Sequence, residues 1–189
     1  VCWVYLDGLN LMDTGLFSTL CNYVTNYDQF SFFHPHAFHF KFQTLKEESS
    51  PRVLVTHLSY DGIPKNFFNK QFKTLVVFRN PKDTALSYFH FYNNNPALPT
   101  YSSWDTFFED FMAGNVCWGS YFDHVIEWNK HIDDENIMIV TFEEMKKDLE
   151  AAVKQISEFF GLSLNEEQIQ RIADKGTFKS MKEKSEESH

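Results

Sequence analysis

The stretch 73–95 constrains the fold most, because it joins a buried strand directly to a helix. Residues 74–78, TLVVF, form a short run of β-branched and aromatic side chains, which is typical of a buried strand. Arg79 ends this run, and Asn80 and Pro81 follow at once. Asparagine is a favoured helix cap and proline suits the first helical turn. The sequence therefore predicts a helix that begins immediately after the strand.

This junction has the properties of an anion-binding site. A helix start offers free backbone N–H groups and the positive end of the helix dipole, and Arg79 adds a planar cation. Asp83 lies in the first turn, and Ser87 follows one turn later, so we expect its hydroxyl on the same side. An ordinary strand–helix junction, in which the arginine pairs with a nearby carboxylate, is the alternative that spacing alone leaves open.

Apolar runs and turn residues predict an alternation of strands and helices along residues 53–175. Such an alternation indicates one α/β domain with a mostly parallel central sheet flanked by helices. Residues 1–42 give no comparable pattern beyond a candidate helix over 16–24. The predicted strands are 53–56, 74–78 and 136–142, and the predicted helices are 104–112 after Ser103, 119–131, 143–160 and one from Asn165 to Lys175.

Three residues that can carry chemistry follow predicted strands. His57, Arg79 and Phe142 each stand where a strand ends. Ligands of parallel sheets bind beyond the carboxyl ends of the strands, so we expect these residues to share one site. His57 could act as a general base near neutral pH, because imidazole titrates in that range. A structural histidine with satisfied hydrogen bonds is the alternative.

Composition excludes several classes of protein. The chain has 189 residues, of which 43% are hydrophobic, so it can bury the core of one domain. Its net charge of −9 argues against a nucleic-acid surface. Three scattered cysteines, Cys2, Cys21 and Cys117, suggest reduced thiols in a cytoplasmic protein. No apolar run is long enough to predict a membrane span.

Two features of the sequence argue against a metal site and against a P-loop kinase. His34, His36 and His39 invite a metal reading, but no cysteine or carboxylate stands among them, and aromatic-rich segments usually pack in a core. We therefore predict no metal. The phosphate-binding pattern GxxxxGK[ST] is absent from the sequence, which argues against a P-loop kinase.

Five motifs, in their order and spacing, resemble those of the cytosolic sulfotransferases and are most similar to the 6B branch. The resemblance spans roughly Ser50 to Lys182, within a family-like region of residues 43–182. The motifs are PRVLVTHL, FRNPKDTALSYFHFY, SWDTFFEDFMAGNVCWGSYFDHVIEWNK, TFEEMKKDLEAAVKQISEFFG and TFKSMK.

The resemblance implies a function and a set of site residues. It implies transfer of a sulfuryl group from 3′-phosphoadenylyl sulfate (PAPS) to a hydroxyl or amine of a small acceptor, in a P-loop-like sulfotransferase fold without a metal. His57 matches the family's catalytic base, and Arg79 and Ser87 match the residues that hold the 3′-phosphate. Phe142 matches a position that packs on the nucleotide. The adenine-binding loop matches Gly176, Thr177, Phe178 and Met181.

The chain also departs from the family pattern. Val55 stands where the family has a lysine, two residues before the histidine. The sequence lacks a YPKSGTTW-like phosphate loop, an RKG segment and the family's dimerisation motif. A homodimer stays an open alternative although this motif is not in the sequence. We therefore expect a single truncated sulfotransferase domain over 1–189, with 1–42 atypical and 183–189 a charged tail. A catalytically impaired relative that only binds nucleotide or a partner is the alternative.

Aromatic side chains suggest the kind of acceptor. Phe67, Phe89, Tyr92 and Trp118 stand near the predicted site residues in the chain or within the family motifs. If they line the acceptor pocket, they favour an apolar or phenolic molecule.

Overall fold

The computed structural model describes residues 2–7, 52–63, 68, 72–96, 98–177 and 180, with the backbone alone for strands 2–7 and 52–56. The family-like region predicted from the sequence falls largely within these residues. The predicted helix over 16–24 and the histidines His34, His36 and His39 lie outside them.

The described strands form one four-stranded sheet. In spatial order, β2 (Arg52–Thr56) pairs with β1 (Cys2–Asp7), β1 with β3 (Lys73–Phe78), and β3 with β4 (Ile137–Thr141). The three strands predicted from the sequence are all present, and no end differs by more than one residue. The strand that the sequence did not predict is β1, in the part of the chain with no clear periodicity.

Strand direction differs in part from the prediction of a mostly parallel sheet. β3 and β4 are parallel, as expected, but β1 is antiparallel to both of its neighbours. β2, β3 and β4 therefore run in the same direction, and β1 runs opposite to them. The sheet is less parallel than predicted because β1 lies between β2 and β3, so these two strands are not hydrogen-bonded to each other. The α/β class of the domain is confirmed.

The predicted helix caps at Ser103 and Asn165 are present. The side chains of Ser103 and Asn165 accept hydrogen bonds from backbone N–H groups in the first turns of their helices, at 3.2 and 2.8 Å. Gly114 ends a helix at φ 75°, in the left-handed region that favours glycine. The helices are α1 (Pro81–Asn94), α2 (Trp104–Ala113), α3 (Tyr121–Asn129), α4 (Phe142–Lys147), α5 (Leu149–Phe159) and α6 (Glu166–Lys175), with a 3₁₀ turn at Tyr60–Gly62.

The single helix predicted over 143–160 is two helices. Asp148 interrupts it with φ −146° and ψ 89°, so the backbone leaves the helical region there. Its carboxylate accepts a hydrogen bond from the N–H of Ala151 at 3.0 Å and begins α5, while its own N–H donates to Glu144 and ends α4. Aspartate competes for backbone N–H groups in this way, and the apolar spacing of the sequence did not reveal it.

Strand β3 is buried on both faces, which explains its unbroken apolar run. On one face, Val76 is completely buried and packs with Trp128 of α3 and Ile137 of β4. On the other face, Leu75 packs with Ile156 of α5 and with Phe160. Helices therefore cover both faces of the sheet around the strand that ends at Arg79.

An aromatic cluster joins α1 to α2. Phe107 is completely buried, and its ring centroid lies 5.8 Å from that of Tyr92 and 6.1 Å from that of Phe111. The neighbouring Phe108 is 41% exposed. The two adjacent phenylalanines therefore differ in burial although the sequence gives them the same residue type.

We expect Phe107→Ala to lower the free energy of unfolding by about 3–5 kcal/mol, because it removes a buried ring and leaves a cavity. Phe108→Ala is the matched control and should cost less than about 1 kcal/mol. Urea unfolding of both variants measures the difference. Equal effects of the two substitutions would show that α2 does not pack on α1 through Phe107.

Candidate functional site

The ends of three strands meet at one edge of the sheet. Thr56 of β2 pairs with Trp3, and Trp3 pairs with Val76 of β3, so Thr56 and Val76 are level across the sheet. Phe78 pairs with Thr141 of β4. His57, Arg79 and Phe142 follow these strands, and the register therefore brings all three to the same carboxyl edge, as the sequence predicts.

The register also gives an approximate distance between the backbones of His57 and Arg79. β2 and β3 are separated by β1, and Arg79 extends two residues further than His57. With strands spaced at about 4.8 Å and about 3.3 Å per residue, their backbones lie roughly 12 Å apart.

Arg79 and Phe142 form the best-defined contact of the site. They are neighbours because β3 and β4 pair in parallel up to Phe78 and Thr141. The guanidinium carbon of Arg79 lies 5.0 Å from the ring centroid of Phe142, a cation–π contact. The Nε of Arg79 is buried and has no hydrogen-bond partner among the residues that the structure describes. A buried donor of this kind is suited to an anionic ligand.

The start of α1 supplies fewer free N–H groups than the sequence predicts. The N–H of Asn80 donates to a carboxylate oxygen of Glu143 at 2.9 Å, and the N–H of Lys82 donates to the Asn80 side chain at 2.9 Å. Pro81 has no N–H. The local cap thus satisfies donors that would otherwise face an anion, and the arginine becomes the main cationic group of the site.

Two side chains from other elements fix the backbone around Arg79. The hydroxyl of Tyr121, in the first turn of α3, donates a hydrogen bond to the carbonyl oxygen of Arg79. Burial raises the pKa of Tyr121, and the Glu143 carboxylate adds to this effect, so the phenol remains a donor. Glu143 holds the next residue, Asn80. Sequence reasoning missed both contacts, because each joins segments more than 40 residues apart.

His57 lies against the loop before α3. Its imidazole centroid is 4.7 Å from one of the ring centroids of Trp118, with the rings tilted by 53°. His124 of α3 is also near, and burial, with the charge of His57 as a smaller cause, lowers the pKa of His124 from 6.5 to about 3. His124 is therefore neutral around pH 7. Sequence reasoning did not select it.

Ser87 is exposed on α1. It lines an open pocket of about 370 Å³ whose described lining does not include Arg79. The other lining residues are His90, Phe91, Asn94, Asn95 and Pro96. The structure thus brings Arg79 and Phe142 into contact, while Ser87 stands more than a turn further along α1.

Part of the predicted adenine loop is described. Gly176 ends α6, and its N–H donates to the carbonyl oxygens of Ile172 and Ala173, both at 3.0 Å. The Thr177 hydroxyl donates to the carbonyl oxygen of Asp174, also at 3.0 Å. Phe178 and Met181 lie outside the described residues.

The aromatic residues predicted for the acceptor pocket separate into different roles. Tyr92 is 3% exposed and belongs to the core between α1 and α2, so it does not face a ligand. Phe89 packs on the same core, against Phe107. Trp118 contacts His57, and Phe67 lies outside the described residues. The amphipathic spacing of α1 could not distinguish these directions.

The described residues offer neither a metal site nor a membrane span. Within residues 52–63, 72–96 and 98–177, no three histidine, cysteine or acidic side chains are grouped so that they could hold a metal ion. No helix in the described part of the chain is long and apolar enough to cross a membrane.

Comparison with known proteins identifies the family. The sequence model described as the sulfotransferase domain matches residues 2–189. The chain therefore belongs to the sulfotransferase family.

Relatives within the family refine this result. Sulfotransferase 6B1 of mouse is 53% identical over 149 residues, which is 79% of this chain and 49% of that protein. Sulfotransferase 6B1 of zebrafish (Danio rerio) is 55% identical, over 77% of this chain and 51% of that protein. Sulfotransferase 1A1 of cattle is 39% identical. The similarity to the 6B branch is confirmed, and the chain spans about half the length of the relatives it matches.

Solved structures agree on the fold. Mouse sulfotransferase SULT7A1, complexed with PAP, superposes with a TM-score of 0.73 and 42% identity, over 75% of this chain and 51% of that one. Retinol dehydratase, in complex with androsterone and the inactive cofactor PAP, gives 0.61 and 32% identity, over 65% and 36% of the two chains. The sulfotransferase fold expected from the sequence is confirmed.

The carboxylate of Glu143 should hold the β3–α1 junction in place. We expect Glu143→Ala to lower the free energy of unfolding by about 0.5–1.5 kcal/mol, because the N–H of Asn80 loses its acceptor. Glu143→Gln keeps a side-chain oxygen and should retain most of this stability. Glu158→Ala, an exposed glutamate of α5, is the control in urea unfolding. Alanine and glutamine variants of equal stability would contradict the contact.

The neutral His124 should make the fold sensitive to acid. Its pKa is 6.5 when unfolded and about 3 when folded, so below pH 6.5 the unfolded chain binds a proton that the folded chain does not. Stability from this group is complete above pH 6.5 and is lost as the pH falls toward 3. The expected slope is up to about 1.4 kcal/mol per pH unit.

Urea unfolding of the wild-type protein and His124→Gln at several pH values measures this slope. The glutamine variant lacks the titrating group and should lose less stability on acidification. The same slope in both proteins would show that His124 is not held neutral by burial.

Proposed function

We propose that this chain carries the nucleotide-binding and base-bearing part of a sulfotransferase that transfers a sulfuryl group from PAPS to a hydroxyl or amine of a small acceptor. PAPS, when bound, supplies the activated sulfuryl group. In this proposal the protein contributes a base, a cation for the 3′-phosphate and an aromatic surface. The reaction would take place in the cytoplasm, in keeping with the three scattered cysteines of the sequence.

The observation that carries the proposal is the Arg79–Phe142 pair. Its guanidinium rests on an aromatic ring, and its buried Nε lacks a protein partner among the described residues. A donor left in this state is stabilised by a phosphate oxygen, and a planar cation can bind phosphate through two N–H groups. The residues present therefore fit the phosphate of a nucleotide. The relatives of known structure that bind PAP support the choice of nucleotide.

Each site residue has a role in this proposal. Arg79 would bind the 3′-phosphate, with Ser87 as a second donor from α1. Phe142 would pack on the nucleotide, and the loop with Gly176, Thr177, Phe178 and Met181 would hold the adenine. The separation of roughly 12 Å between the backbones of Arg79 and His57 suits a ligand with a phosphate at one end and its reactive group at the other.

His57 would act as the general base. It would accept the proton of the acceptor hydroxyl or amine as the new bond to sulfur forms and the bond from sulfur to the phosphate oxygen of PAPS breaks, with PAP as the leaving group. Its position at the sheet edge would place the imidazole beside the acceptor for in-line attack. With Val55 in place of the family's lysine, the chain has one cation fewer beside this step. Positioning and proton transfer would then provide most of the catalysis.

The second candidate is a catalytically impaired relative that binds the nucleotide or a partner. Val55 favours it, because the family has a lysine at this position, and the cation that would stabilise the bridging oxygen is absent there. Binding without turnover distinguishes this candidate from the enzyme.

Isothermal titration with adenosine 3′,5′-bisphosphate (PAP) tests the nucleotide site. We expect Arg79→Ala to weaken binding by about 10- to 100-fold, because hydrogen bonds to a charged group are lost. Arg171→Ala, at an exposed arginine of α6, is the matched control and should bind like the wild type. Equal affinity of the Arg79 variant and the control would remove Arg79 from the site.

A sulfuryl-transfer assay with PAPS and a panel of phenols and amines tests the chemistry. We expect His57→Gln to lower kcat by about 100-fold or more while the affinity for PAP stays within about twofold. Turnover that survives this substitution would show that His57 is not the base. PAP binding by a wild-type chain that does not turn over would favour the second candidate.

A further inference from the structure

The turn between α2 and α3 holds a bulky residue in an unfavourable backbone conformation. The N–H of Gly119 donates to the carbonyl oxygen of Val116 at 3.0 Å, which closes a β-turn. Trp118, the third residue of this turn, has φ 64°. Among the described non-glycine residues, it is the one with positive φ. Turns of this kind usually place glycine or asparagine there, because other side chains are strained.

Two tyrosines of α1 hold the turn in this conformation. The hydroxyl of Tyr88 donates to the carbonyl oxygen of Cys117, and the N–H of Cys117 donates to the hydroxyl oxygen of Tyr92, both at 2.6 Å. Tyr88 and Tyr92 are one helical turn apart, so they present their hydroxyls on one side of α1. Burial raises the pKa of both, which keeps the phenols protonated.

The two hydrogen bonds that Tyr88 and Tyr92 make with the backbone of Cys117, here called the tyrosine clamp, explain why the strain in the turn persists. A bulky residue in the left-handed region costs about 1–3 kcal/mol and survives where the surroundings over-determine it. Both backbone hydrogen-bonding groups of Cys117 are occupied, so the peptide before Trp118 has little freedom to rotate. The packing of α1 on α2 thus dictates where the indole points.

The indole points at His57. It lies between the imidazole of His57, at 4.7 Å, and the ring of Tyr88, which is stacked on it at 5.7 Å with an interplanar angle of 23°. Phe91 adds a further contact at 6.3 Å. A row of rings therefore connects α1 to the residue that follows β2.

From this geometry we infer that Trp118 is a positioning residue for His57, and that its left-handed backbone conformation aims the indole at the imidazole. The strained turn transmits the position of α1 to the side chain proposed as the base. The inference rests on the proposed function for the role of His57, but the contact itself can be tested without turnover.

The first test observes the imidazole directly. In a protein with ¹³C-labelled histidine, the His57 signal is assigned by its loss in His57→Gln. We expect Trp118→Asn to move this signal, because the ring current of the indole is removed while the left-handed backbone is tolerated. Trp118→Phe keeps a ring and should move it less. Trp104→Asn, at a partly exposed tryptophan of α2, is the matched control and should leave it unchanged.

The second test measures function in the same variants. Trp118→Asn should lower kcat by about 10- to 100-fold, as expected for a misplaced base, with PAP affinity within about twofold. Trp118→Phe should restore most of the rate. Tyr88→Phe, which removes the clamp hydroxyl but keeps the ring, should move the His57 signal and lower kcat in the same direction as Trp118→Asn.

The outcomes separate the two proposals. An unchanged His57 signal in Trp118→Asn overturns the positioning role, whatever the wild-type activity. A changed signal with an unchanged kcat overturns it as well. A wild-type chain without PAP binding and without transfer contradicts the proposed function, whereas a changed signal in that chain still supports the contact that Trp118 makes.

Discussion

The parallel pairing of β3 with β4 is the interaction on which the site depends. Its register places Phe78 beside Thr141, so the next residues, Arg79 and Phe142, emerge side by side. A shift of one residue would turn alternate side chains to the other face of the sheet and separate the guanidinium from the ring. Burial of β3 on both faces makes such a shift costly, because Leu75 and Val76 pack in different clusters. The core therefore sets the geometry of the proposed nucleotide site.

The two halves of the site are held by different physical means. On the side of Arg79, the Tyr121 hydroxyl donates a hydrogen bond to the backbone and the Glu143 carboxylate accepts one from it, and both fix the strand–helix junction. On the side of His57, the indole of Trp118, which lies in a strained turn, contacts the imidazole. Both means depend on α3 and the turn before it, since Tyr121 begins that helix and Trp118 lies three residues upstream. The segment 116–121 thus connects the proposed phosphate site with the proposed base.

Family membership and the proposed chemistry rest on different grounds. Membership follows from a match along residues 2–189 and from relatives with 50–55% identity in the 6B branch. The chemistry is a proposal, because the chain spans about half the length of those relatives. At the start of α1, the N–H groups of Asn80 and Lys82 already donate to protein side chains, so family membership alone does not establish an anion site there. A helix N-terminus binds an anion only with donors that its own cap does not use.

Local sequence determined the strands β2, β3 and β4, most helices and the caps at Ser103 and Asn165, and it placed His57, Arg79 and Phe142 at strand ends. These features depend on side-chain period and capping preference, which act within a few residues. Tertiary structure alone decided the antiparallel insertion of β1, the burial of Tyr92, the Glu143 contact and the left-handed Trp118. Each of these depends on groups distant in the chain, and a local pattern carries no information about such partners. The break between α4 and α5 at Asp148 is a local feature that the sequence prediction missed. The aspartate caps α5, although the apolar residues on both sides keep the spacing of one continuous helix.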